Sequence, residues 1–329
     1  MVPADSGDSL GGSGLSSGPS LPAATPLTIS VMPSRWPLML ALASVYVIWG
    51  STYYAMRIAV EGLPPMFMGS VRFVIAGGIL MTWLVLRGAA RPTARQWLSA
   101  LVVGGLLFAG GNGLVAVAER SIGSGIAAVA VATMPLWLAV FATVTGERPS
   151  RREWIGLGVG LAGVVVLSSG GELRADIGAT ALLLLSPVSW AAGSLLARRL
   201  PLPAGMMAAA SEMLAGGALL VVLSVVAGER WPSSPPAESL AAVAYLIVFG
   251  SLIAFSAFSW LLRNTRPSVA TSYAYVNPGL AVFLGAALGA ETVGWSTLVA
   301  TPLIAGAVAL LVLGKRAPDR ATRAPSSAR

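Results

Sequence analysis

Between Pro37 and Gly314 the chain alternates long apolar runs with short polar breaks. The runs are Pro37–Ala59, Met66–Leu86, Gln96–Val117, Gly125–Val144, Trp154–Leu167, Gly178–Ala197, Met206–Ala227, Leu240–Leu262, Ser268–Leu288 and Trp295–Leu313. Nine of them hold 19 to 23 residues and one, Trp154–Leu167, holds 14. A hydrocarbon core about 30 Å thick takes about 20 helical residues at 1.5 Å each. Backbone polar groups inside it are satisfied only by helices or closed barrels. The pattern therefore predicts an all-α membrane protein with ten transmembrane helices.

Composition points the same way, with 56% hydrophobic and only 10% charged residues against about a quarter charged in ordinary globular domains. Without cysteine or histidine the chain offers no disulfide framework, no thiol chemistry, no imidazole relay and not the commonest metal ligand, so no metal or cofactor is expected. No Walker-type phosphate loop occurs, which argues against ATP-driven pumping by this chain. The net charge of +8 raises the possibility of nucleic acid as a partner, but the placement of the basic residues accounts for it better. With the amino terminus cytoplasmic, the inner side holds Arg35, Arg87, Arg91, Arg95, Arg148, Arg151, Arg152, Arg198, Arg199, Arg263, Arg266 and the basic residues from Lys315 onward, sixteen of the 21. The outer loops hold only Arg120, Arg174 and Arg230. Such a bias puts both termini inside.

Residues 1–36 are rich in Ser, Gly and Pro and read as a disordered tail, as do residues 315–329. No basic stretch followed by an apolar run and a cleavage site occurs in the first tail, so a secretory signal is not expected. Between the tails the chain repeats itself. Trp49 returns as Trp190, Pro135 as Pro278, Glu147 as Glu291 and Trp154 as Trp295, at offsets of 141, 143, 144 and 141. A duplicated five-helix unit follows, 37–168 and 178–314. Because five is odd, the copies enter the membrane from opposite sides, a plan of secondary transporters whose substrate site lies near the midplane.

The run Ile48-Trp49-Gly50-Ser51-Thr52-Tyr53 continuing through Arg57 and Arg72-Phe73 carries a resemblance. So do Ser124-Gly125-Ile126-Ala127-Ala128, and Ser272-Tyr273-Ala274-Tyr275-Val276-Asn277-Pro278 followed by Glu291. Together they resemble the drug/metabolite transporter superfamily, and within it the EamA-type exporters, over nearly everything from Leu38 to Gly314. The resemblance implies a ten-helix inner-membrane carrier that exports small metabolites or toxic compounds. It implies no particular substrate.

Charged and polar groups inside helices are the first candidates for handling a substrate. Glu212 lies six residues into its segment beside Ala208, Ala209, Ala215 and Gly216, a small-residue face suited to the bundle interior. It could take up a proton or face a substrate cation, or simply join two helices. Arg72 is its repeat mate at an offset of 140; it could hold a substrate carboxylate, or snorkel to the interface. Arg57 lies nearer a helix end and reads as a topology or snorkelling residue. Pro135 and Pro278 each remove a backbone bond near mid-segment and serve as hinges or static kinks. Ser272, Tyr273, Tyr275 and Asn277 adjoin the second proline and could bond a polar ligand. Trp49 with Ser51 and Trp190 with Ser194 occupy matching depths in the two repeats, and Asn112 between two glycines is a pore-lining or packing amide. Gly156 and Gly160 have a close-crossing spacing but do not establish a dimer.

The expected partners are thus a small-molecule substrate, the lipid bilayer and, as a coupling ion, protons. The leading function is a secondary exporter of small metabolites, amino-acid-like compounds or drugs by alternating access. An uncoupled facilitator or an importer is the alternative within that class, and a membrane-embedded enzyme or assembly subunit the alternative outside it.

Overall fold

The computed structural model describes residues 35–144, 151–169, 176–265, 273–289 and 291–314. The expected disordered tails, apart from Arg35 and Trp36 in the first, and the candidate Ser272 lie outside these residues.

Every regular element among the described residues is helical. Helix α1 runs from Arg35–Ser44 through a π-helical stretch, Val45–Trp49, into Gly50–Gly62. Helix α2 is Pro65–Leu86, and α3 joins Ala94–Gly104, a π-helical Gly105–Gly113 and Leu114–Ala118. Next come α4, Ser124–Val131, α5, Met134–Val144, and α6, Arg151–Ser168. Helices α7, Ile177–Ala197, and α8, Met206–Val226, follow. Helix α9 runs through Ala237–Tyr245, a third π-helical stretch, Leu246–Ile253, and Ala254–Asn264. The last two are α10, Tyr273–Leu288, and α11, Trp295–Gly314. Six of these, in α1, α2, α3, α7, α8 and α9, carry a stretch long and apolar enough to cross a membrane, and four shorter apolar stretches accompany them, Ser124–Leu138, Trp154–Leu167, Val276–Leu288 and Trp295–Ala307.

Local chemistry sets where these helices begin and end. Thr93 and Gln96 form a reciprocal capping box at the start of α3, Thr93 N–H to Gln96 Oε1 at 2.9 Å and Gln96 N–H to Thr93 Oγ1 at 3.3 Å. Asp176 Oδ1 accepts from the Ala179 N–H at 2.8 Å and starts α7. Gly88 (φ 83°) and Gly228 (φ 67°) end α2 and α8 in the left-handed conformation that a side chain would strain. They stand 140 residues apart, the offset that also separates Arg72 from Glu212. The expected single segment Gly125–Val144 is broken into α4 and α5 at Ala132–Thr133. Pro135 has no N–H to offer the Val131 carbonyl and its ring crowds that turn, so the helix ends just upstream of it.

Helix α2 packs most extensively on α8, and α6 on α11; α3 packs on α7 and α8, α10 on α4 and α1, and α9 on α1. The α3–α8 crossing is backbone against backbone. A Cβ on Gly104 would strike the Glu212 carbonyl oxygen, and one on Gly216 would strike the carbonyl of Gly104. Small residues of this kind let helices meet closely where lipid supplies no hydrophobic drive. The outer faces carry large apolar side chains in the open, Val226 and Ile177 each 78% exposed, whereas Arg72, Glu119, Ser186, Ser211, Glu212 and Asn277 are buried inside. An apolar outside over a polar inside suits lipid as solvent. Gly104→Val is expected to destabilise the fold by about 1–3 kcal/mol through overpacking, read as a lower thermal midpoint in detergent. Gly78→Ala, where an added Cβ meets nothing within 4 Å, should leave that midpoint unchanged or raise it.

Candidate functional site

Nine helices converge on an interior cavity of about 80 Å3, large enough for several water molecules or the polar end of a small ligand. α6 and α11, paired with one another, contribute nothing to its wall. Aromatic rings make up much of that wall. Trp49 meets Trp190 edge-on at 6.4 Å between centroids, Tyr273 at 5.0 Å and Phe258 at 4.9 Å. Phe108 bridges Phe73 at 4.5 Å to Phe255 at 5.6 Å. Between the rings the wall presents Thr52, Tyr53, Asn112, Ser186, Ser251 and Asn277.

Arg72 supplies the one charged side chain among the described lining residues. It is only 4% exposed. Its Nε donates to Ser251 Oγ at 2.9 Å, its Nη1 approaches Met56 Sδ at 3.5 Å, and its guanidinium lies 4.8 Å from the Phe73 ring centroid. Among the described residues no carboxylate forms a salt bridge with it. Gly250 leaves the space it occupies, since a Cβ there would stand 3.0 Å from Nη2.

The π-helical stretches border this cavity, which is where such widened turns concentrate in proteins generally. They loosen the backbone ladder, and neighbouring side chains close it again. Trp49 Nε1 donates to the Gly250 carbonyl at 3.1 Å, tying α1 to the π stretch of α9. Ser186 Oγ and Ser189 Oγ donate to the carbonyls of Gly111 and Leu106 at 3.0 and 2.8 Å, tying α7 to the π stretch of α3. Gly111 and Gly250 stand 139 residues apart, as do Asn112 and Ser251, which follow them.

A family model for the EamA-like transporters matches residues 35–169 and again 178–313. The chain belongs to the EamA-like transporter family. It is 48% identical over 280 residues to YedA, an uncharacterized inner membrane transporter of Escherichia coli strain K12, covering 85% of this chain and 92% of that one. An uncharacterized transporter of Archaeoglobus fulgidus is 26% identical over 255 residues, 75% of this chain and 86% of its own. A solved crystal structure shares the fold with a TM-score of 0.59 at 22% identity, over 84% of this chain and 98% of its own. The protein is thus a multi-pass membrane protein of this transporter family.

Within this EamA framework the structure brings together Trp49, Arg72, Asn112, Trp190, Tyr273, Asn277 and Pro278 on one cavity wall. The Asn277 amide nitrogen faces the carbonyls of Tyr46 and Tyr273 at 3.1 and 3.2 Å. The break upstream of Pro135 also borders the cavity, through Val131, Ala132 and Met134. Three candidates stand elsewhere. Ser51 bonds the Ile48 carbonyl at 2.8 Å and the Tyr245 hydroxyl at 2.7 Å, joining α1 to α9. Ser194 is half-buried off the cavity. Glu212 is buried at the α3–α8 crossing; the next residue, Met213, lines the cavity and Glu212 does not. The side chain of Tyr275 lies outside the described residues.

Several wall residues had no sequence signal beyond hydrophobicity or a common hydroxyl, among them Phe108, Ser186 and Ser251. Glu119 is a different omission. Next to Arg120 in a short polar break, it reads as an ordinary loop charge. In the fold it is 0% exposed and neither carboxyl oxygen has a hydrogen-bond partner. It lies one residue past the apolar span Ala94–Ala118. Burial, reinforced by the Glu291 charge and opposed by Arg57 and Arg72, pushes its carboxyl well above the usual carboxylate range. Arg57 donates Nη1 to the Glu119 backbone carbonyl and reaches Glu61 at 3.7 Å.

Two other carboxylates cap helices at long range. Glu291 accepts from Ser124 N–H and Oγ at 2.8 Å each and from Gly125 N–H at 3.2 Å, closing the start of α4. Glu229 accepts from the N–H groups of Met66 and Phe67 at 3.1 and 2.8 Å, closing the start of α2. Both satisfy donors that a helix start leaves open and lie at its positive end. Glu291→Ala should cost about 1–3 kcal/mol of stability, the scale of a lost charge-assisted bond, while Glu291→Gln, which keeps an acceptor, should cost less; paired thermal melts in detergent measure the difference.

Proposed function

We propose that the protein is an inner-membrane secondary transporter that exports small organic acids, amino-acid-like compounds among them, by alternating access. The observation that carries this reading is Arg72, a buried guanidinium in an aromatic cavity with donors to spare and no carboxylate among the described residues bound to it. A guanidinium grips a carboxylate through a two-pronged fork. The surrounding Trp49, Trp190 and Tyr273 favour an apolar or aromatic body attached to that carboxylate. Asn112 and Ser186 on the wall offer hydrogen bonds to further polar groups of the substrate.

The architecture belonging to this function is ten membrane helices in two inverted five-helix repeats, 37–168 and 178–314, with both termini cytoplasmic. Support comes from the packing. Segments two and seven, four and nine, and five and ten are repeat mates that pack on each other, while one packs on eight as three packs on six. A twofold relation between the copies would generate that list. The arginine bias supports the orientation, and the relative YedA bears the name of an inner membrane transporter. Flexing beside Pro135 and Pro278, both next to the cavity, would open it to each side in turn.

Cells overproducing the intact protein are compared with cells overproducing Arg72→Gln at equal membrane levels, with metabolites profiled in medium and cytoplasm. Organic acids should accumulate in the medium with the intact protein and fall about tenfold or more with the variant, the scale of a lost charged hydrogen bond. Identical profiles would reject the role of Arg72. Depletion of those acids from the medium would make the protein an importer.

A further inference from the structure

We propose that Glu119 is the proton-carrying group of this transporter, and that a proton on Glu119 and an anion on Arg72 favour each other's binding. The second clause rests on the cavity being the substrate site. The first rests on the surroundings of Glu119 alone.

Those surroundings are unusual for an ionised carboxylate. Glu119 is closed off from solvent with both oxygens unpartnered, the costliest arrangement for a charge and a far cheaper one for the neutral acid. The ionisable groups facing it are Tyr53 and Arg57 from α1, Arg72 from α2, and Glu291 beyond α10. Neither arginine closes a salt bridge on it. Arg57 spends its donors on the Glu119 backbone carbonyl and Glu61, and Arg72 on Ser251. Two guanidiniums also oppose a metal cation, and among the described residues no third acidic or imidazole ligand joins Glu119 and Glu291. The ligand that suits the site is a proton.

The sign of coupling follows from the charges. An ionised Glu119 would offset the positive field of Arg72 and weaken its hold on an anion; a protonated Glu119 leaves that field to the substrate. Linkage makes the effect mutual. Proton and anion then move in the same direction, so that an organic acid accumulated inside leaves together with its proton.

Infrared spectroscopy of the purified full-length protein in lipid vesicles tests this without a known substrate. At neutral pH the spectrum should show a protonated-carboxyl stretch with a component that Glu119→Gln removes and Glu212→Gln leaves in place. In Arg72→Gln that component should persist to a pH about one higher or more, because an opposing cation has been taken away. Should Glu119→Gln aggregate on size exclusion, Glu119→Asp replaces it and should shift the component in frequency. A band that Glu119 variants leave unchanged would overturn the proton site. Unaltered pH dependence in Arg72→Gln would overturn the coupling. Both are independent of whether Arg72 proves to bind exported acids.

Discussion

Lipid offers a peptide group no hydrogen-bond partner, so each N–H and C=O that leaves the helical ladder in a membrane must be met by another part of the protein. Much of this fold can be read as an answer to that constraint. Where α3 and α9 widen into π-helical turns, Ser186, Ser189 and Trp49 reach across from neighbouring helices to carbonyls of Gly111, Leu106 and Gly250. Where α2 and α4 begin, Glu229 and Glu291 reach in from distant loops. Irregular backbone is thereby confined to places where protein, not lipid, surrounds it. Those places frame the cavity, because only an interior lined by several helices can supply the missing partners.

Duplication then doubles each solution. The tryptophan that closes the α9 turn sits on α1, and the serines that close the α3 turn sit on α7, so the two helix pairs exchange roles between the halves of the chain. Left-handed glycines end α2 and α8 at the same repeat position. The framework is shared while the chemistry has diverged. Arg72 and Glu212 are repeat mates, yet the arginine faces the cavity and the glutamate is held in a helix crossing. Asn112 and Ser251 are likewise mates with different side chains on one wall. If the cavity is the substrate site, a duplicated scaffold with one cation among its described lining residues has a preferred substrate charge, which a fully symmetric one built from two arginines would reach only with strong mutual repulsion.

Much of the helical framework was legible because apolar runs are local signals. The cavity's aromatic and proline members were legible for a second reason: Trp49 with Trp190 and Pro135 with Pro278 recur at matching offsets, and recurrence marks positions that packing alone need not fix. The break between α4 and α5 was harder to see. Pro135 foretells a disturbance, but a proline can either kink a helix or end it, and the outcome depends on neighbours remote in sequence. Glu119 was invisible for a different reason. A carboxyl in a short polar break is solvated in most proteins, and only the packing of α1, α2 and the loop bearing Glu291 over it takes the water away. Glu212 misled in the opposite sense, since burial in a small-residue face says nothing about which interior space a side chain adjoins.

Arg72 finally bears on why an empty carrier should move differently from a loaded one. Removing an ion from water costs several kcal/mol even after relaxation, and here one serine bond, a sulfur contact and an aromatic face offset only part of that. Guanidinium carries five N–H donors, so most of its bonding capacity is left to the cavity. Any conformational step that squeezes water from the cavity worsens this imbalance when the site is empty. The same step becomes easier when a carboxylate fills the fork, because the pair is then desolvated together with its charges opposed and its hydrogen bonds made. On the proposed reading, a buried cation in an aromatic chamber that closes during transport raises the barrier to passage of the empty form and lowers it for the loaded one, which is the property that separates a carrier from a leak.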